Sequence, residues 1–257
     1  MVKFVPVSRQ LHSSKSWVRP INYDFAARDA ICPLAGLEIP AAATSYSIAF
    51  IRGKAAYQPV AVFSHNVGTN LYLSPNGSWI PGRYVPSVIR AYPFRLLPTP
   101  NKSSMMLCVD ESSGLVRDTN QGEPFFDEAG KVAETVASIT AFLEAAARSN
   151  VSAGLALKSL AAAEVIVPWD NGGSAGQAMG NLYRVDEQRL RALDDAAFSS
   201  LRSHNALAIA YAQLISMSNM ELLPQLASAR QKASQAASGD TLSRILDGYA
   251  EQTLRFD

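Results

Sequence analysis

The sequence has no surplus of charge of either sign. It carries 23 Lys and Arg residues against 22 Asp and Glu residues, which leaves a formal net charge of +1. Nucleic-acid-binding proteins usually concentrate basic side chains to neutralise phosphates, and anionic lipid surfaces attract the same kind of patch. We therefore expect neither nucleic acid nor an anionic membrane surface to be a partner.

Residues that hold metals are scarce. Cys32 and Cys108 each stand alone, and no Cys-x-x-Cys or His-x-x-x-His spacing occurs. We interpret the cysteines as small buried residues in a reducing compartment, and leave open that they pair. His12, His65 and His204 lie far apart in the chain, so a metal site would depend wholly on the tertiary fold. The sequence predicts no metal and no cofactor.

Long apolar runs are also missing. The N-terminus lacks the uninterrupted apolar stretch of a secretory signal. The longest strongly apolar run, Ala206 to Ile215, is half of the roughly 20 residues that span a bilayer. We expect a cytoplasmic protein without a transmembrane segment.

The composition that remains is that of a folded protein with two unlike halves. Hydrophobic residues make up 48% and charged residues 18% of the 257 residues, so disorder is not expected. Up to about Phe126 the chain is rich in Pro, Gly, Tyr and β-branched residues, and beyond Lys131 it is rich in Ala and Leu at helical spacing. This predicts a mixed α/β (α+β) fold in a single domain, 1–257. Antiparallel strands of a β-rich half, 1–130, pack against a mostly helical half, 131–257.

Short apolar segments between turn signals predict the elements of the first half. The predicted strands are Tyr46–Ile51, Pro59–Phe63, Asn70–Leu73, Phe94–Leu97 and Met105–Val109. Pro86 suits the first turn of a short helix that runs to about Ala91.

Apolar residues three and four apart predict the helices of the second half. The predicted helices are Val132–Ala146, Ala153–Ala163, one that begins at Glu187 with Asp186 as its cap, Leu207–Met217 as the most buried helix, Leu222–Ala237 and Thr241–Leu254. Glu164–Pro168 and Leu182–Val185 are predicted to be partner strands around the glycine-rich loop 171–176.

Several motifs fall short of a chemical function. The glycine-rich segment Gly172–Gly176 lacks the Lys-Ser/Thr pair of a phosphate loop and is interpreted as a hairpin loop. The stretch from Asp118 has Glu123 and Ala129 where a calcium loop needs Gly and Glu. No Gly-x-Ser-x-Gly motif is present.

The segment Trp79–Phe94 is the best candidate for a binding site. Arg83 and Arg90 are seven residues apart and would share a face if one short helix included both. Arginine beside aromatic rings suits carboxylates and planar ligands. The alternative is that the aromatic residues anchor the core while the arginines pair with buried carboxylates. The candidate binding residues are Glu38, Trp79, Arg83, Tyr84, Arg90, Tyr92 and Asp110.

The same segments resemble the SapC family of bacterial proteins. The resemblance includes Gln58-Pro-Val-Ala-Val, Gly-Thr-Asn-Leu-Tyr-Leu from Gly68, Gly-Arg-Tyr-Val-Pro-Ser-Val-Ile-Arg-Ala-Tyr-Pro-Phe from Gly82, Leu107-Cys-Val-Asp-Glu, Gly122-Glu-Pro-Phe-Phe-Asp and Leu182-Tyr-Arg-Val-Asp-Glu. It covers roughly residues 3 to 226.

The resemblance implies a role near surface-protein or modification systems. The family is named for an association with bacterial surface layers, and its relatives tend to be encoded near flavin-dependent halogenases, cupin-like oxygenases and outer-membrane receptors. Such neighbours are the partners that the resemblance suggests. It brings no catalytic residues to this chain, and the short apolar run argues against the permease label that some relatives carry.

These observations predict a non-enzymatic accessory or adaptor protein that binds a partner protein or a small ligand through the segment 79–94 and the adjoining strand ends. The alternative is an enzyme whose site is assembled only in three dimensions around that segment, with His65, Asp110 and Arg83 acting on a metabolite. The sequence leaves the oligomeric state open.

Overall fold

The computed structural model describes residues 3–53, 56–101, 104–119, 121–169 and 182–235. It confirms the mixed α+β class, with strands mostly in the N-terminal half and helices mostly in the C-terminal half. The strands are β1 Phe4–Pro6, β2 Ser16–Trp17, β3 Ile31–Pro33, β4 Ser47–Arg52, β5 Tyr57–Val62, β6 Phe94–Pro98, β7 Met105–Asp110, β8 Val116–Arg117, β9 Glu123–Pro124, β10 Ile166–Pro168 and β11 Leu182–Val185. The α-helices are α1 Arg9–His12, α2 Ile39–Ala43, α3 Ser87–Arg90, α4 Glu134–Ala162, α5 Glu187–Arg191, α6 Asp195–Ser200, α7 Ala206–Ser216 and α8 222–235.

A five-stranded antiparallel sheet forms the larger part of the core. Its strand order is β10-β11-β4-β5-β3. The hairpin β4–β5 is paired from Ser47 opposite Val62 to Arg52 opposite Tyr57. Helices α4 and α7 pack on this sheet, and most of β4 and β5 is buried. This explains why their sequences are nearly continuous apolar runs.

A second antiparallel sheet, in the order β1-β7-β6, lies beside the first. Phe94 of β6 is paired with Val109 of β7, and both side chains enter a second apolar cluster. Because side chains alternate along a strand, the next pair, Arg95 and Cys108, faces the other way. One face of this sheet therefore packs in the second apolar cluster, whereas the other face carries Arg95 and Cys108. A third, small sheet has the order β8-β2-β9.

Helix α4 joins the two apolar clusters. Val136 and Leu143 near its start belong to the smaller cluster, whereas Leu157 and Leu160 near its end belong to the larger one. The structure corrects the prediction of two helices here, because α4 is continuous over 29 residues. The segment 147–152 between the two predicted helices contains no proline. The nearby Gly154 costs a helix only about 1 kcal/mol.

Two further predictions were wrong. The predicted strand Asn70–Leu73 is a buried turn in which Leu73 forms an isolated bridge with Trp79, while Asn70 is held by hydrogen bonds to the backbone of Ala26 and Tyr72. Helix α7 is not the most buried helix, since five of its eleven residues are buried against three of five in α2, and Tyr211 is 46% and Ile215 is 70% exposed.

Several predictions were confirmed. Strands β10 and β11 pair antiparallel, and β11 also pairs with β4. The Asp186 side chain caps α5 by accepting hydrogen bonds from the backbone N–H groups of Gln188 and Arg189. Cys32 and Cys108 are buried free thiols. The predicted loop Gly172–Gly176 and the predicted helix Thr241–Leu254 lie outside the described residues.

One helical stretch, Ser203–Gln235, is long and apolar enough to cross a membrane when only length and composition are considered. About a third of its most apolar window, 33%, is buried inside the protein. Core helices of soluble proteins meet the same criterion, so the stretch does not decide between lipid and a protein core.

Candidate functional site

A buried carboxylate, that of Glu38, organises the start of the segment predicted to be a site. The Glu38 side chain is fully enclosed, and both of its oxygens accept hydrogen bonds. Oε1 accepts from the Tyr84 hydroxyl at 2.7 Å and from the Ser87 backbone N–H at 2.6 Å. Oε2 accepts from the Ser87 hydroxyl at 2.6 Å and from the Ala35 N–H at 2.9 Å. These bonds fix the first residue of α3 and so hold the whole helix in place.

Arg90 covers this carboxylate from the solvent side. Its Nη2 atom lies 3.9 Å from Oε1 of Glu38 and donates a hydrogen bond of 3.0 Å to the Tyr84 hydroxyl. The guanidinium also sits 4.8 Å from the ring centre of Phe142 on α4. Burial, together with the hydrogen bond to Glu38, raises the pKa of Tyr84 to about 12. Arg90 and Tyr84 therefore complete a structural network around Glu38.

Trp79 and Arg83 have unlike surroundings. Trp79 is buried in the larger cluster, and its indole N–H donates to the Tyr46 hydroxyl at 3.0 Å and to the Tyr84 carbonyl at 3.2 Å. Arg83 precedes α3, which begins only at Ser87, so no single helix carries Arg83 and Arg90. Among the described residues, none forms a side-chain hydrogen bond or an ion pair with Arg83.

Tyr92 and Asp110 form a second pair, on the other side of α3. The Tyr92 hydroxyl donates to Oδ2 of Asp110 at 3.1 Å, and its ring stacks on Phe25 with centroids 3.9 Å apart. The other carboxylate oxygen of Asp110 accepts from the Ser112 hydroxyl at 2.6 Å and from the Lys3 backbone N–H at 3.2 Å. Burial opposes ionisation of Asp110, but these hydrogen bonds outweigh it and lower the pKa of the carboxyl.

This pair lies in the wall of a cavity of about 480 Å³ between the edge strand β3 and the sheet β1-β7-β6. The size is within the usual range for small-molecule sites. The cavity is lined by Phe4, Phe25, Asp29, Ile31, Cys32, Pro33, Val88, Ile89, Tyr92, Arg95 and Asp110.

The alternation of the strands explains how these side chains meet. Phe4 of β1 is paired with Asp110 of β7, and Arg95 of β6 is paired with Cys108, two residues before Asp110. Phe4, Arg95 and Asp110 therefore share the face of the sheet that is turned away from Phe94. Helix α3 supplies Val88 and Ile89 from the opposite side.

Two charged side chains of opposite sign lie on this cavity. Asp29 and Arg95 are both exposed, so we place them at its solvent-facing mouth. In the part of the chain that the structure describes, neither forms an ion pair or a side-chain hydrogen bond, although the Arg95 guanidinium lies 4.8 Å from the ring centre of Phe4. Partial burial raises the pKa of Asp29, and the nearby Arg95 opposes this.

Three lining groups, Tyr92, Cys32 and Asp110, have pKa values shifted away from neutral pH. Burial, with the adjacent Asp110 carboxylate, raises the pKa of Tyr92 to about 12, and burial also raises the pKa of the Cys32 thiol. At neutral pH the cavity thus holds a neutral phenol, a neutral thiol and an ionised Asp110. General acids and bases work best with a pKa near the operating pH, and a nucleophilic cysteine needs a lowered one.

The structure brings together only some of the predicted residues. Tyr92 and Asp110 line the cavity, whereas Glu38, Tyr84 and Arg90 form the network behind α3. The enzyme alternative needs His65, Arg83 and Asp110 around one substrate, yet only Asp110 lines this cavity. No cluster of three or more His, Cys, Asp and Glu side chains that is suited to a metal ion occurs within the described ranges.

Sequence reasoning missed most of the cavity lining. One signal was available for Arg95, since it is a charged residue within an otherwise apolar predicted strand, Phe94–Leu97. No such signal marked Phe4, Phe25 or Asp29, because they come from segments that only long-range pairing brings together.

The comparison with protein families agrees with the resemblance seen in the sequence. The SapC family model matches residues 7–223, which is most of the chain and includes nearly all of the cavity lining. The chain belongs to the SapC family. Comparisons with curated proteins and with solved structures found no match. Membership of the SapC family thus establishes the relationship and leaves the function to be argued from the geometry.

Proposed function

We propose that this SapC-family protein is a non-enzymatic accessory protein that binds a small ligand in the cavity between β3 and the sheet β1-β7-β6. The observation that carries the proposal is the cavity itself. It has apolar walls from Phe25, Val88 and Ile89, and hydrogen-bonding groups confined to a few positions. Binding sites for small molecules typically combine these two features.

The rigidity of the walls supports this proposal. Helix α3 is held by the Glu38 carboxylate through the backbone and side chain of Ser87. Tyr92 is held by Asp110 and by its stack on Phe25. A preformed pocket loses less conformational entropy on binding than a flexible one.

A binding role also fits the ionisation of Tyr92, Cys32 and Asp110 better than catalysis by these three groups does. Tyr92, Cys32 and Asp110 each keep one protonation state around neutral pH, as the directions of their pKa shifts require. Groups of this kind recognise a ligand by hydrogen bonding and do not exchange protons with it.

The test places a larger side chain in the cavity and measures whether ligand binding is lost. Val88 lines the cavity, so Val88→Phe places a ring within it. The same substitution at Val151, which is 68% exposed on α4, is the matched control. Each protein is mixed with a small-molecule extract of its host cells, and bound compounds are detected by saturation-transfer difference NMR.

We expect at least one compound to bind the wild type and Val151→Phe but not Val88→Phe. Circular dichroism and thermal unfolding establish that Val88→Phe is folded. If a folded Val88→Phe binds the same compounds as the wild type, or if the wild type binds none, the cavity is not a ligand site and the proposal fails.

A further inference from the structure

We infer that the ligand of this cavity is a small zwitterion with a bulky apolar group, of the class of apolar α-amino acids. The inference rests on the proposed function and identifies the chemistry of its ligand. It is carried by two side chains of opposite charge at the mouth of the cavity, Asp29 and Arg95, which form no ion pair and no side-chain hydrogen bond with the described residues.

Arg95 is suited to a carboxylate. It is the second residue of β6 and is paired with Cys108 of β7, so its backbone is fixed by the sheet. Its contact with the Phe4 ring restricts the guanidinium without a hydrogen bond, so the N–H donors remain available to a ligand. A guanidinium can bind a carboxylate through two parallel hydrogen bonds, which fixes orientation as well as charge.

Asp29 is suited to an ammonium group. It follows the short helical turn Asp24–Ala26, and its backbone N–H is bonded to the Ala26 carbonyl, which fixes its position. The carboxyl has no partner among the described residues. A bound cation would stabilise its ionised form and offset the burial that raises the pKa of the group.

The interior is suited to an apolar side chain. Ile89 and Cys32 are almost fully buried, at 3% and 2% exposed, and the Phe25–Tyr92 stack adds an aromatic wall. Asp29 and Arg95 are exposed whereas Ile89 and Cys32 are buried, so a ligand would place its charged end at the mouth and its apolar group against Ile89 and Cys32. Asp110 is already saturated by Tyr92, Ser112 and Lys3, and does not compete for the ammonium group.

The test separates the two charges of the ligand. Binding of L-phenylalanine, 3-phenylpropionate and phenethylamine is measured by isothermal titration calorimetry on the full chain. The last two compounds retain the ring but each lacks one charge. L-serine, which keeps both charges without the apolar group, is the fourth probe. The variants are Arg95→Gln and Asp29→Asn, with Arg117→Gln on the short strand β8 as an exposed control.

We expect L-phenylalanine to bind the wild type at least about tenfold more tightly than 3-phenylpropionate or phenethylamine, since a charge-assisted hydrogen bond contributes roughly that factor or more. The same margin of about tenfold is expected over L-serine, which buries no apolar ring. Arg95→Gln should remove the preference for L-phenylalanine over phenethylamine. Asp29→Asn should remove the preference over 3-phenylpropionate. Arg117→Gln should bind as the wild type does.

Two results overturn the inference. If 3-phenylpropionate or phenethylamine binds the wild type as tightly as L-phenylalanine, the ligand is not a zwitterion. If L-phenylalanine does not bind, while Val88→Phe still loses a compound from the cell extract, the ligand class is wrong and the proposed function stands. If Val88→Phe still binds every compound that the wild type binds from the cell extract, the proposed function fails as well.

Discussion

Glu38 shows how a single buried charge can be tolerated in this fold. Its side chain is enclosed, with 1% of the residue exposed, and both carboxylate oxygens face donors. Burial of an unpaired carboxylate is costly, and here each oxygen accepts one backbone N–H and one hydroxyl hydrogen bond. Glu38, a candidate binding residue in the sequence, supports helix α3 beside the cavity.

Replacing Glu38 by glutamine should destabilise the protein by about 1–3 kcal/mol. In glutamine, an NH₂ group replaces one of the two carboxylate oxygens. In either orientation this NH₂ group faces a backbone N–H, that of Ala35 or that of Ser87, and two donors cannot form a hydrogen bond with each other. The free energy of unfolding is measured by urea denaturation. Glu128→Gln, at an exposed position, is the control. An unchanged midpoint for Glu38→Gln would show that the carboxylate does not hold α3.

His12 presents the opposite case, a buried group that is incompletely satisfied. The imidazole is fully buried against Phe125. Its Nδ1 atom lies 3.3 Å from the Ser8 backbone, but Nε2 forms no hydrogen bond with the described residues and is 3.6 Å from Glu111. Burial lowers the pKa of His12, despite the Ser8 backbone and the Glu111 carboxylate, which raise it.

The stability of the protein should therefore fall as the pH drops from 7 to 5. Below the unfolded-state pKa of about 6.5 the unfolded chain binds the His12 proton more readily than the folded chain, which lowers stability by up to about 1.4 kcal/mol per pH unit. His12→Asn should reduce this slope between pH 7 and 5. His204→Asn, at an exposed position, should leave it unchanged. Equal slopes for wild type and His12→Asn would contradict the expectation.

Individual residues were predictable where their role is local. Asp186 follows a strand and precedes an amphipathic pattern, and it caps α5 as expected. Tyr92 and Asp110 were predicted as site residues and do line the cavity. Arg95 and Asp29 were not predicted, because the positions that make them interesting depend on contacts between distant segments.

At the scale of elements, one close approach constrains the packing of α4. The short 3-10 turn Gly36–Glu38 crosses this helix so closely that a Cβ atom on Gly36 would lie 2.5 Å from the Ser149 carbonyl oxygen and 2.8 Å from Cβ of Ala153. Gly154 also lies on α4, but a Cβ atom there would meet nothing within 4 Å. The close contact with α4 thus excludes a side chain at position 36, whereas position 154 has room for one.

Gly36→Ala and Gly154→Ala should change stability in opposite directions. The first forces the turn away from α4 and should cost about 1–3 kcal/mol. The second removes a flexible residue from a helix interior and should add about 0.5–1 kcal/mol. Thermal and urea unfolding of both variants check this. A neutral Gly36→Ala would mean that the turn and α4 can separate without cost.

The elements that sequence patterns predicted well are those with an unbroken local signal. Strands β4, β5, β6 and β7 all match predicted segments to within two residues at each end. Strands β1, β2, β3, β8 and β9 are two or three residues long and were not predicted, since such short segments carry no periodicity. Their strand geometry comes from the partners with which they pair.

At the scale of the whole molecule, the cavity lies where the two sheets meet. Its lining is drawn from β1, β3, α3, β6 and β7, which are spread over the first half of the chain. Only the relative position of the two sheets determines that these residues meet, and single-sequence patterns contain no information on that position. The fold class was therefore predictable, whereas most of the cavity lining was not.

The arrangement of the clusters implies that the two sheets unfold as one unit. Helix α4 contributes Val136 and Leu143 to one cluster and Leu157 and Leu160 to the other, and the whole helix is continuous. Because α4 contributes side chains to both clusters, loss of packing in one cluster should also destabilise the other. We therefore expect both clusters to be lost in one cooperative transition.

Leu157→Ala should reveal this coupling. The side chain is fully buried in the larger cluster, so its truncation should cost about 2–5 kcal/mol. Native-state hydrogen exchange is measured for amides of β5, beside the substitution, and of β7, in the other sheet. If the molecule is one cooperative unit, globally exchanging amides in both strands should lose the same protection. If β5 loses protection and β7 keeps it, the two sheets belong to separate folding units, and the cavity between them is a joint that can open without unfolding either.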